Sequence, residues 1–117
     1  MMGSLGILFY NGPVQYETPE TVVEIARAAV DKGYKVRVFC FMDGVYATLQ
    51  GHERTPEGMM NVEEAIKELI SKGVEITICT LTADQRGVKN VIEGVVKGGT
   101  PDLAEIIDEV DRFIVIK

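Results

Sequence analysis

Apolar positions along this chain follow two alternating rhythms, short continuous runs and helical stripes. Leu5-Gly6-Ile7-Leu8-Phe9-Tyr10 is an apolar run ended by Asn11-Gly12-Pro13, which predicts a strand and then a turn. Val22, Ile25, Ala26, Ala29 and Val30 follow at helical spacing. Thr18-Pro19-Glu20 supplies the start signal: a capping hydroxyl, a proline at the first helical position and an acid in the first turn. Lys32-Gly33 supplies the stop, because glycine readily takes the left-handed conformation after a helix. Val36 to Met42 predicts a second strand, almost wholly apolar beyond Arg37, as suits a strand covered on both faces. Asp43-Gly44-Val45-Tyr46 closes it, and Gln50 to Gly58 reads as an exposed loop.

The second half repeats the scheme. Asn61 precedes Val62, Ala65, Ile66, Leu69 and Ile70 at helical spacing, with Glu64 placed as in a capping box. Ser71-Lys72-Gly73 echoes the earlier stop, and Val74 to Cys79 predicts the third strand. Leu81 to Glu93 reads as a short helix or two broken turns, and Gly94 to Lys97 as a very short fourth strand. Thr100-Pro101-Asp102 repeats the start signal before the stripe Leu103, Ile106, Ile107 and Val110. Phe113 to Ile116 is the closing strand. Strict alternation of strand and helix argues for parallel strands joined by right-handed crossovers. The expected fold is one α/β domain over residues 1–117, a three-layer α/β/α sandwich with a mostly parallel sheet of about five strands. The pattern leaves the strand order open.

Composition narrows the function classes. With 46% apolar residues the chain can build one real core. The net charge of −6 comes from dispersed acids, with no basic stripe, which argues against nucleic acid and acidic membrane surfaces as direct partners. No apolar run approaches the roughly 20 residues of a membrane span. Met1 to Tyr10 lacks the positive start and small-residue cleavage site of a signal peptide, so a cytoplasmic location is expected. Two cysteines and one histidine make neither a disulfide scaffold nor a zinc site, so no metal is expected.

In open α/β sheets ligands bind beyond the carboxyl ends of the strands. That rule selects Asn11-Gly12-Pro13, Met42 to Tyr46, Cys79 to Gly87 and Lys97 to Thr100. Cys79 is the strongly nucleophilic side chain among them. It ends a strand and precedes a helical segment whose amides and whose Arg86, about two turns on, would favour a thiolate. The competing reading is a small buried hydrophobe. Cys40, between Phe39 and Phe41 in an apolar strand, reads as core. Asp43 either orients a partner or ends the strand in an Asx-type turn, with the turn favoured. Arg86 either serves the thiol or pairs with a surface acid such as Asp84 or Glu93. Lys97-Gly98-Gly99-Thr100 reads as a plain turn more than an anion site, and His52 as a solvated loop residue.

These residues resemble a known family. Phe39-Cys40-Phe41-Met42-Asp43-Gly44-Val45-Tyr46 resembles the FF-x-x-[DE]-G-V-Y segment of the DsrE/TusD-like (DsrE/DsrF-like) sulfur-relay family. Cys79 followed by Arg86-Gly87-Val88 resembles its C-x6-R-G-V segment, and Asp111-Arg112-Phe113-Ile114-Val115 its terminal strand. The resemblance runs over nearly the whole chain in order. Val88 to Gly94 is shorter than in the sulfur-relay members, which changes the pocket rim or partner surface. The resemblance implies that Cys79 carries sulfur as a persulfide, supported by Arg86, Gly87 and Asp43. It implies sulfur donor and acceptor proteins as partners, no cofactor, and a homo-oligomer (dimer, trimer or hexamer). The alternatives are a non-catalytic oligomeric binding or assembly module and a small-molecule binder using the same crevice. An accessible sulfur favours relay, and a sealed one favours the module.

Overall fold

Which face each helix covers follows from the direction in which the chain crosses its sheet. The computed structural model describes residues 3–13, 17–51 and 57–117; His52 and part of the expected 50–58 loop lie outside them. The elements are β1 (Ser4–Phe9), α1 (Thr18–Asp31), β2 (Lys35–Cys40), a 3-10 helix (Met42–Thr48), α2 (Val62–Ser71), β3 (Glu75–Cys79), α3 (Thr80–Gln85), β4 (Val96–Gly98), α4 (Thr100–Glu109) and β5 (Arg112–Ile116). All five strands are parallel, in the order β4-β3-β2-β1-β5. From β1 to β4 the chain moves one strand at a time in one direction. Right-handed crossovers therefore lay α1, α2 and the segment after β3 on a single face. The last crossover runs back past β1 to the opposite edge, so the same handedness lays α4 on the other face.

The core divides accordingly. Ile7, Phe9, Val36, Val38, Cys40, Ile76 and Ile78 point from the sheet toward Val22, Val23 and Ala26 of α1 and Val62, Ala65, Ile66 and Leu69 of α2. The other face holds a smaller cluster of Phe39, Cys79 and Ile106, flanked by Leu8, Phe41, Leu103, Val110 and Phe113. The strand pleat sends alternate residues to opposite faces, which separates Cys40 from its neighbour Phe39. Arg37, the one charge in the predicted run of β2, holds α4 down. Its guanidinium bonds Glu75 of β3 at 2.7 Å and Glu105 and Glu109 of α4 at 3.3 and 2.9 Å. Burial disfavours the Arg37 charge, but these carboxylates outweigh it and raise its pKa above the ordinary value.

Several local expectations shift. Glu17, with φ 55, precedes α1, while Thr18 lies inside the helix, buried, and accepts a bond from Asn11 Nδ2 at 3.3 Å. Asn61 caps α2 as expected, its Oδ1 accepting from the Glu64 amide at 3.0 Å. Gly99, not Thr100, is the cap of α4; its amide donates to the Asp102 carboxylate at 2.8 Å. Ile107, expected in the buried stripe of α4, is 50% exposed, because the helix has a sheet beneath only one side. β2 stops at Cys40 instead of running to Met42, since Met42 turns to a left-handed φ of 50 and starts the 3-10 helix.

Cys40 gives the fold a measurable pH dependence. Full burial pushes its thiol pKa well above the ordinary 9.0. The folded state keeps the proton that the unfolded chain releases, so this contribution to stability is intact below about pH 9 and falls as pH rises beyond it. The expected loss approaches about 1.4 kcal/mol per pH unit. Urea midpoints from pH 8 to 10 should therefore fall more steeply for wild type than for Cys40→Ala. Parallel slopes would remove Cys40 as the cause.

Candidate functional site

Cys79 is the last residue of β3, and its backbone pairs with Gly98, the last residue of β4. At these two positions the sheet forks. After Cys79 the chain turns toward the α1/α2 face, where Ala83, Val88 and Ile92 join the larger cluster. After Gly98 it turns into α4 on the opposite face. Adjacent strands whose connections leave to opposite faces form the switch point at which open α/β sheets bind ligands. The Thr80 hydroxyl bridges the fork by donating to the Gly98 carbonyl at 2.8 Å.

Cys79 as a residue is only 3% exposed. It lies on the α4 face with Phe39 and Ile106. Cys40 pairs with Ile78 in register, so the next residue, Phe41, comes level with Cys79 on the neighbouring strand. The Phe41 amide stays bonded to the Phe9 carbonyl at 3.0 Å, and its ring tilts against Phe39 with centroids 6.0 Å apart. Beyond this sealed thiol the rim is apolar and exposed: Leu81 is 67% and Met42 41% accessible.

The structure brings Asp43 and Arg86 together. Arg86 Nε donates to Asp43 Oδ1 at 2.7 Å, and Arg86 Nη1 donates to the Thr82 carbonyl at 3.2 Å. The acid that pairs with Arg86 is thus Asp43, where the sequence pointed to Asp84 or Glu93, and Asp43 serves this pair in place of the favoured Asx turn. Arg86 caps the far end of α3, about 10 Å along the chain from Cys79 at helical rise, with its charge already matched. Gly87 ends the turn at φ 69, donating to the Asp84 carbonyl, while Val88 donates to the Ala83 carbonyl and enters the core. The loops are also tied at their base: Gln50 donates to Asn90 O at 2.9 Å and Ile92 to Thr48 O at 2.8 Å.

Residues 3–116 match the DsrE/DsrF-like family. The chain belongs to that family. Among curated proteins, this DsrE/DsrF-like chain is 27% identical over 110 residues to the uncharacterized protein MK0008 of Methanopyrus kandleri, covering 92% of this chain and 89% of that one. It is 26% identical over 110 residues to the uncharacterized protein MJ0989 of Methanocaldococcus jannaschii, covering 92% and 95%. Among solved structures, the ychN protein from E. coli superposes with a TM-score of 0.88 at 24% identity, over 97% of this chain and 99% of that one. The conserved protein of unknown function BT1422 from Bacteroides thetaiotaomicron gives 0.72 at 14% identity, over 97% and 95%. These likenesses bear out the α/β fold with its five-stranded parallel sheet.

The geometry also explains the two motif segments of this DsrE/DsrF-like chain. Asp43 bonds Arg86, Gly44 lies against the Phe9 carbonyl, and Val45 and Val88 are buried. Much of the shared pattern therefore fastens the loops after β2 and β3 to each other. Sequence reasoning missed Phe41 and α4 as the cover of the thiol, and Thr82 as the link between Cys79 and Arg86. Only the register and the crossover to the far face bring those groups beside Cys79.

Among the described residues, no helix is long and apolar enough to cross a membrane. No three His, Cys, Asp or Glu side chains among them gather as metal ligands. The Gly99 amide, at the helix start weighed as an anion site, is already taken by Asp102.

Proposed function

We propose that this DsrE/DsrF-like protein is a small cytoplasmic sulfur carrier that accepts and passes on sulfane sulfur as a persulfide on Cys79. The observation that carries the reading is the position of this one nucleophile at the fork between β3 and β4. The Cys79 thiolate attacks the outer sulfur of a donor persulfide. The donor S–S bond breaks, its electron pair leaves on the donor thiolate, and Cys79–S–SH forms. An acceptor thiolate then attacks that outer sulfur and releases the Cys79 thiolate. Sulfur moves with no net oxidation and no cofactor, as in thiol–disulfide exchange. Exposed Leu81 and Met42 at the rim suit the approach of donor and acceptor proteins.

The test is to incubate the protein with a cysteine desulfurase or a thiosulfate sulfurtransferase, weigh it intact and map the modified peptide. A gain of one sulfur on the Cys79 peptide supports the carrier reading. No gain with either donor overturns it.

The sealed sulfur favours a second reading, a non-catalytic assembly module. Both readings include a homo-oligomer. α4 is one helix about 10 Å across, over five strands that span about 19 Å, so it leaves apolar surface on its face. Val96 and Val115, outward on that face by strand alternation, and Ile107 of α4 are exposed. A second copy of the chain is the proposed occupant. Light scattering should give a multiple of 12.9 kDa; a mass near 12.9 kDa at every concentration would remove the oligomer.

A further inference from the structure

We infer that the Asp43–Arg86 ion pair is a latch that governs access to the Cys79 thiol. The inference rests on the carrier reading for its purpose and on geometry for its mechanism. A thiol on a residue that is 3% exposed cannot meet the persulfide of another protein, so exchange requires its cover to move. The cover on the β2 side is Phe41, level with Cys79 on the adjacent strand. Directly after Phe41, Met42 holds φ 50, a conformation unfavourable for a residue with a side chain and no polar group to bond locally. Such a turn persists only where its surroundings hold it. The Gly44 amide closes it by donating to the Phe41 carbonyl at 2.8 Å, and its exposed tip is held by Asp43, through the 2.7 Å bond to Arg86.

The same guanidinium continues the connection to Cys79. Arg86 Nη1 donates to the Thr82 carbonyl, and the Thr82 hydroxyl donates to the Cys79 carbonyl at 3.2 Å. One ion pair thus joins the strained turn beside the thiol to the helix that follows the thiol. With the pair broken, the Met42–Asp43 tip loosens and the Phe41 ring swings away from Cys79, while the Phe41 amide stays on the Phe9 carbonyl. The base of the two loops stays fastened by the Gln50–Asn90 and Ile92–Thr48 bonds, which confines the movement to the tip. The Asp43 side chain is 57% exposed and that of Arg86 23%, so ions and an approaching charged partner can reach the latch.

Access is read by pseudo-first-order alkylation of the native protein with iodoacetamide, mapping Cys79 and Cys40 separately. Cys40 is fully buried on the opposite face, so its labelling reports global unfolding. Asp43→Asn and Arg86→Gln should label Cys79 about three- to tenfold faster than wild type at low salt, with Cys40 unlabelled. Added salt should accelerate wild type and leave Asp43→Asn unchanged. Met42→Asn, which keeps the left-handed turn at lower cost, should slow Cys79 labelling. Wild-type rates in both latch variants, or Cys40 labelled in step with Cys79, would overturn the latch. The carrier reading fails separately: faster alkylation with no sulfur ever gained leaves the latch standing, and sulfur gained with alkylation unchanged leaves only the carrier.

Discussion

Cys79→Ser should take up no sulfur from a persulfide donor, while Cys40→Ser should gain one sulfur as wild type does. The two thiols lie on adjacent strands, one residue out of register, and that offset places them on opposite faces of the sheet. Cys40 is fully buried beneath two helices, where desolvation disfavours its thiolate. Cys79 lies at a strand terminus under a loop tip and the start of a single helix. A thiolate is needed at each step of persulfide transfer, and a serine hydroxyl is far less acidic and a far weaker nucleophile. Cys40→Ser buries a hydroxyl in the core at a cost of about 1–3 kcal/mol, so both variants need melting curves before loading. A gain that survives Cys79→Ser, or one lost equally in both folded variants, would exclude Cys79 as the carrier.

Gly44→Ala should be among the most destabilising single changes at the rim. A methyl group built on Gly44 would lie 2.8 Å from the backbone oxygen of Phe9 and 3.2 Å from its ring. The oxygen belongs to β1, an interior strand paired on both sides, and the same carbonyl accepts the Phe41 amide. Neither neighbour can yield without disturbing the β1–β2 ladder. Overpacking of this kind costs about 1–3 kcal/mol, a fall of roughly 5–15 °C in melting temperature for a chain of this size. Because the displaced turn carries Asp43, the variant should also label at Cys79 faster than wild type. An unchanged melting temperature would mean that the turn after β2 has room the geometry does not show.

The elements were legible because each carries its own local signal. Asn61 before an apolar stripe caps α2 through the Glu64 amide, as its side chain and spacing require. Gly33 and Gly73 follow α1 and α2 with φ near 90, a region that glycine enters without strain. Boundaries moved where a distant group decided them. β2 yields to the 3-10 helix because Gly44 meets Phe9 and Asp43 meets Arg86, residues 35 and 43 positions away. The partner of Arg86 could not be read for the same reason, since the nearby acids Asp84 and Glu93 were as good by spacing.

The sequence by itself determined five strands, the helices between them, and a cysteine at the end of the third strand, because periodicity, caps and turn residues act over a few positions. Right-handed crossovers then allowed several strand orders. Only the tertiary structure decided β4-β3-β2-β1-β5, and with it the fork between β3 and β4 at Cys79. It also decided that the thiol is sealed. Phe41, level with it, comes from another strand, and Ile106 of its apolar cluster comes from a helix that crosses the opposite face; no local signal in the chain places them on the face of Cys79.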